Sequence, residues 1–288
     1  MSWIDAILQG TLLGGQYALY AAGLSLIFGV MRLVNIAHGD LIILGAYIAL
    51  VCVEMLGLHP LLSMIIVCPT MFAIGYWMQK LVLNKTLGND ILPPLLVTFG
   101  LSIILQNVLM EVFSADSQRL QSGVLDTASL QLTDELTIGW LPLICFVTAV
   151  IVIASLQFLF YRTTMGMVFR ATSDKAEIVQ LMGVKKDRVF ALAMGIALAV
   201  VGIASVFMAM RTNFDPSVGP GRLLYAFEAV IIGGLGNIWG TLLGGIIIGV
   251  SQAIGAQINP GWQQLAGHLA FLLILIFRPN GLFPRTKD

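Results

Sequence analysis

From Ala6 to Met31 the chain runs for 26 residues without one Asp, Glu, Lys or Arg, and between Glu228 and Arg278 it again carries none. About 20 apolar residues suffice to cross the hydrocarbon of a bilayer as a helix. Within that hydrocarbon only helices and closed barrels satisfy all their backbone hydrogen bonds. Comparable stretches fall at roughly 36 to 56, 58 to 79, 91 to 112, 137 to 161 and 189 to 210. With 58% hydrophobic and 10% charged residues and 30 glycines, no stretch is left over that could bury a separate soluble core. The pattern predicts an all-α, polytopic membrane protein forming one transmembrane domain over residues 1–288. About eight to ten transmembrane helices are expected, some of them broken or re-entrant.

Several chemistries have no signal. No phosphate loop, no H-E-x-x-H and no G-x-S-x-G is present, so neither nucleotide, metal-hydrolytic nor serine-nucleophile catalysis is expected of this chain. Any ATP hydrolysis must come from another subunit. Cys52, Cys68 and Cys145 stand singly in apolar stretches, which argues against a metal site or a disulfide framework. The N-terminus carries Asp5 where a leader would be basic, and Ala6 to Met31 lacks an A-x-A site. It reads as a retained span.

Between Arg162 and Arg188 nine charged residues interrupt the apolar pattern. Leaving them in hydrocarbon would cost on the order of 25 kcal/mol, so the segment lies in water or against protein. Asp174 and Glu177 suit a helix start, Gly183 its stop, and Lys185 and Lys186 follow at the negative end of the dipole. A helix of two to three turns is expected from Asp174 to Met182. Ile178, Leu181 and Met182 recur on one of its faces, an apolar stripe on a charged helix. Either a soluble partner covers that stripe, or the protein's own spans or lipid headgroups do.

If this insert, Arg32, Lys80, Lys85 and the tail Arg278, Arg285 and Lys287 are cytoplasmic, 12 of the 15 basic residues lie inside. The chain then needs an odd number of crossings from Arg211 to Arg278. Three fit if residues 223 to 258 form a broken, glycine-punctuated hairpin, giving about nine crossings with the N-terminus outside. Segment 113–136, with Asp116, Asp126, Asp134 and Glu135 against Arg119, becomes the principal external loop. It is either a solvated connector or a contact for a soluble binding protein.

Gly236, Gly240 and Gly244, spaced at four, are expected to line one helix face for close packing, with Gly10 and Gly14 offering a similar surface. Gly233, Gly234 and Asn237 can instead mark a helix break. Polar groups inside apolar runs need a partner or a polar cavity. Asn35, His38, Asp40, Glu228 and Asn237 are therefore candidates for a translocation path, with Glu228 able to pair with Arg222. Gln106, Asn107, Gln252 and His268 read better as interhelical hydrogen-bond residues.

Taken together, VNIAHGDLIILGAY, MGMVFRATSDKAEIVQLMGVKKDRV, AFEAVIIGGLGNIWGTLLGGIIIG and FRPNGLFP resemble, in order and over almost the whole chain, the LivH-type permeases of branched-chain amino acid ABC importers. The resemblance implies a bacterial inner-membrane permease subunit paired with a second, LivM-like permease. Two ABC ATPase subunits and a periplasmic substrate-binding protein would complete the assembly. It implies no cofactor bound by this chain, ATP and Mg being used by the ATPases, and contact with membrane lipid but not nucleic acid. The charged insert would dock on the ATPase through Arg170, Asp174, Glu177, Ile178, Leu181, Met182 and Gly183. Two other readings stay open on the residues alone. One is a proton-coupled carrier using Glu228, Asp40 and His38; the other is a passive channel for a small neutral solute such as urea.

Overall fold

A computed structural model describes residues 3–88, 90, 92–133 and 136–283. Asp134, Glu135, Arg285 and Lys287 lie outside the described residues. The chain order is α1 Trp3–Met31, α2 His38–Leu56, α3 Pro60–Leu81, α4 Leu92–Phe113, the short α5 Val124–Thr127, then strands β1 Ser129–Thr133 and β2 Leu136–Gly139. There follow α6 Trp140–Arg162, α7 Thr164–Leu181, α8 Lys186–Arg211, α9 Gly219–Gly233, α10 Ile238–Ile258 and α11 Gln263–Phe277. Among the described residues eight helices are long and apolar enough to cross a bilayer: α1 to α4, α6, α8, α10 and α11.

The helices sort into a buried centre and an apolar outside. α1 and α8 are enclosed along most of their length, whereas α3, α4 and α11 leave large side chains such as Ile65, Leu96, Ile104 and Ile276 exposed. Exposed apolar side chains along a full-length helix would be unstable in water, so this surface faces lipid.

Glycines set the close contacts. α1 lies antiparallel to α10, where a Cβ at Gly10 would meet the Gly249 carbonyl and the Val250 Cα, and one at Gly14 the Gly245 carbonyl. On the other side α3 lies antiparallel to α8, with Gly75 against Met194 and Leu198, and Gly202 against Cys68. α1 and α8 meet at Gly23 and Ala197.

Two helices begin deep inside. His38 Nε2 donates to the Tyr20 carbonyl at 2.8 Å, and Tyr20 stands eleven residues before the end of α1, or about 16 Å at 1.5 Å per residue. α2 therefore starts near mid-membrane, after residues 32–37 have turned back as non-helical chain. Their backbone is satisfied by protein: Ala37 N donates to the Asn35 side chain at 3.1 Å and Ile36 N to Thr98 Oγ1 at 3.3 Å. α9 also starts at this depth, since Gly219 sits against Gly39 and Asp40. The chain descends to it from the end of α8 through residues 212–218. Phe214 is held there by a reciprocal backbone pair with Gln118, at 2.8 and 2.9 Å.

Residues 212–233 thus make one crossing, half extended and half helical, and the total becomes nine. If the charge rule puts α7 and the basic residues around it on the cytoplasmic side, α1 begins outside and α11 ends inside. The anticipated hairpin exists, but α9 and α10 bound it over 219–258 rather than 223–258. The break at residues 32–37 was not expected; the sequence predicts a continuous span from 36. The segment expected to be the external loop also departs from a plain connector among its described residues. β1 and β2 pair antiparallel, and Gln9 Nε2 donates to the Thr137 carbonyl at 2.7 Å, fastening that hairpin to the start of α1.

Candidate functional site

The charged insert forms a helix longer than expected. α7 begins at Thr164, capped by Thr163 Oγ1 accepting from Gly166 N at 3.1 Å, and it is interrupted at Lys175, where φ −147° and ψ 82° leave the helical region. The sequence places the helix start at Asp174, beside that break. Ten residues earlier, the turn from α6 is so tight that a Cβ at Gly166 would fall on the Leu159 and Phe160 carbonyls. Gly183 ends the helix with φ +86°, a left-handed conformation that glycine adopts without steric cost.

The two halves of α7 have different surroundings. Before the break, Phe169 and Thr172 are buried, Ser173 Oγ donates to the Gly29 carbonyl at 2.8 Å, and Arg170 donates to the Phe160 carbonyl while lying 5.0 Å from the Tyr161 ring. Arg170 is thus engaged with the end of α6, and it anchors the helix rather than offering a free charge. After the break, among the residues whose burial is described, Val179 is the buried one. Asp174 and Glu177 are exposed, as are Ile178 at 50%, Leu181 at 88% and Met182 at 79%. The chain's own spans do not cover this stripe.

The second cluster surrounds the broken helices. Asp40 is buried where α2, α4 and the start of α9 meet; its carboxylate accepts from Ser102 Oγ at 2.5 Å and from Gln106 Nε2 at 2.9 Å. Asn35 and His38, both fully buried, lie within five residues of it and shape the turn into α2. Asn35 Nδ2 and His38 Nδ1 have no hydrogen-bond partner among the described residues. Ser102 was not anticipated, although its place one turn before Gln106 on an apolar helix was a readable signal.

Glu228 belongs elsewhere. It pairs with His268 Nδ1 of α11 at 2.5 Å, not with Arg222, which reaches Thr212 Oγ1 at 3.4 Å. The two side chains leave α9 in different directions, Arg222 near Tyr17 and Tyr20 and Glu228 toward α11. Gln106 and Gln252 do bond between helices, Gln252 accepting from the Tyr17 hydroxyl at 2.7 Å. Asn107 instead donates to Ile103 on its own helix.

Asn237 holds a helix end in place. It caps α10 by accepting from Gly240 N at 3.0 Å and donates to the Phe283 carbonyl at 3.2 Å. Gly236 is not on a helix face, because α10 starts at Ile238; with φ +81° it forms the turn from α9, beside Gly29. Gly240 and Gly244 do line a packing face, where any Cβ would strike the Gly233 and Ala229 carbonyls.

A bundle of membrane-spanning helices in which α2 and α9 start against each other inside the fold, with an anchored amphipathic helix at one end, defines a multi-pass membrane transport component. Residues 6–277 match the family described as branched-chain amino acid transport system, permease component, and the chain belongs to it. It is 27% identical over 299 residues to the high-affinity branched-chain amino acid transport system permease protein BraD of Pseudomonas aeruginosa, covering 99% of this chain and 97% of that one. To LivH of Escherichia coli K12 it is 25% identical over 306 residues, covering 99% and 96%. A probable LivH of Methanocaldococcus jannaschii is 30% identical over 263 residues, covering 86% and 80%.

Proposed function

We propose that this chain is a membrane-spanning permease subunit of an ATP-binding-cassette importer for branched-chain or related small amino acids, residing in a bacterial inner membrane. The observation that carries the reading is the exposed stripe of Ile178, Leu181 and Met182, on a half-helix whose other half is anchored to α1 and α6. An apolar stripe left in water is unfavourable by roughly 25 cal/mol per Å² and calls for a partner. A cytoplasmic ATPase seated on it would push α7. The Ser173 to Gly29 and Arg170 to Phe160 bonds would pass that motion to α1 and α6. The two helix starts at Gly39 and Gly219 would then shift relative to each other and alternate access around Asp40.

In this division of labour one ATPase serves each permease of a pair, this chain beside a LivM-like partner. ATP and Mg stay on the ATPases, and a periplasmic binding protein delivers substrate against the outer segments 114–139 and 212–218. The test is co-purification from membranes in which all neighbouring subunits are expressed. The native chain should retain an ATPase subunit, and a chain carrying Ile178→Asp, Leu181→Asp and Met182→Asp should lose it at unchanged expression. Equal retention by both would sink the docking role.

A further inference from the structure

The insert also shapes a groove beside the exposed stripe. Between the end of α3 and the turn from α7 into α8 lies an open groove of about 620 Å³, lined by Lys80, Asn84, Lys185, Lys186, Asp187 and Arg188 among others. Four cationic side chains face one acid. The described residues contain no carboxylate within 4 Å of any of the four cations. The groove is held open by structure: Gln79 donates to Asn84 Oδ1 at 2.9 Å, and Asn84 Nδ2 donates to the Asp187 carbonyl at 3.1 Å. These two bonds fix the end of α3 to the start of α8 and leave the cations uncompensated.

Its surroundings specify the ligand. Lys80 lies 4.6 Å from the ring of Trp77 and 5.7 Å from that of Tyr76. Tryptophan and tyrosine at a helix end mark the headgroup level of a bilayer. Immediately beside the cations, Trp77, Leu81 and Val82 are exposed on the lipid-facing side of α3. A ligand that satisfies both surfaces carries an anionic head and an apolar tail. An acidic protein loop or a soluble phosphate would satisfy only the first.

We propose that this groove is a binding site for the headgroup of an anionic phospholipid of the inner leaflet, with Lys185, Lys186 and Arg188 around the phosphate and an acyl chain along Trp77 and Leu81. The cytoplasmic leaflet is where such lipids attract basic side chains. The site joins α3 to the base of the α7 helix, so an occupied groove stiffens the turn at Gly183 from which that helix projects.

Native mass spectrometry of the detergent-purified full chain, co-expressed with its partner subunits, tests this with added phosphatidylglycerol or phosphatidylethanolamine. Phosphatidylglycerol should persist as an adduct on the native chain in preference to phosphatidylethanolamine. At roughly fivefold per basic side chain near the surface, the variant Lys185→Gln, Lys186→Gln, Arg188→Gln should lose more than about 100-fold of that affinity. Lys85→Gln, which removes a basic residue outside the groove, should keep it, and unchanged elution on gel filtration shows that the triple variant is folded. Equal retention of both lipids, or retention of phosphatidylglycerol by the triple variant, overturns the site. Displacement of the lipid by millimolar glycerol phosphate assigns the groove to soluble phosphates instead. Loss of the ATPase subunit without loss of lipid assigns it to an acidic partner surface.

Discussion

Asp40 shows how a single carboxylate holds the centre of the bundle. It lies where the start of α2 meets the start of α9, and both of its oxygens are used, one by Ser102 and one by Gln106 of α4. A buried donor deprived of its acceptor costs about 1 to 3 kcal/mol, so Asp40→Ala, which strands two donors, should lower stability by roughly 3 kcal/mol. Asp40→Asn keeps one acceptor oxygen and adds an amide able to donate to Ser102 Oγ, and should lose less than half as much. Thermal unfolding in mild detergent ranks the three proteins, and an Ala variant as stable as the native chain would remove Asp40 from this role. A substrate role for Asp40 would appear separately, as impaired uptake in an Asn variant that is still folded.

Helices in this protein meet through backbone, and glycine positions decide which pairs are fixed. The α1 to α10 seam leaves no room for a Cβ at Gly14, where it would press on the Gly245 carbonyl and Ile246. Gly100 of α4 meets nothing within 4 Å. Gly14→Val should therefore cost about 1 to 3 kcal/mol through overpacking, while Gly100→Ala should be neutral or stabilise by about 0.5 to 1 kcal/mol. Apparent melting temperatures of the two variants check the contrast, and equal shifts would contradict the seam. The sequence made the α1 side of this seam legible, since Gly10 and Gly14 stand at four-residue spacing, but Gly240 and Gly244, spaced alike, pack on α9, and the α10 glycines that face α1, Gly245 and Gly249, were not singled out. It also marked the end of α7 at Gly183 and the stripe on its outer face. It hid the non-helical stretches 32–37 and 212–218, because apolar composition reports burial and is silent on where helical hydrogen bonding stops. Pro216, Gly219 and Pro220 were the available signal for the second, and Met31-Arg32 with Met210-Arg211 for their likeness. The partners of Glu228 and Arg222 were equally hidden, being set by the elements beside α9 and not by spacing along it.

At the scale of the whole molecule, these pieces form two similar halves of opposite direction. α1 runs inward and packs on α10; α8 runs outward and packs on α3. Each of these helices is followed by non-helical chain that turns back to mid-depth and by a helix starting there, α2 or α9, and the two helix starts touch at Gly39 and Gly219. Each fixed pair therefore contains one helix from either half, leaving the contact between the helix starts as the place where the halves can slide. This arrangement requires nine crossings, because residues 212–233 span the bilayer although α9 has only 15 residues. Counting the eight long helices alone would return the C-terminus to the outside. Single cysteines in a chain whose Cys52, Cys68 and Cys145 are replaced by Ser distinguish the two counts through a membrane-impermeant maleimide. Thr127→Cys should react in intact cells or spheroplasts. Glu177→Cys and Arg278→Cys should react only after permeabilisation. Labelling of Arg278→Cys from outside, with Glu177→Cys still protected, would mean that residues 212–233 turn back without crossing, and the two-half arrangement would fall with them.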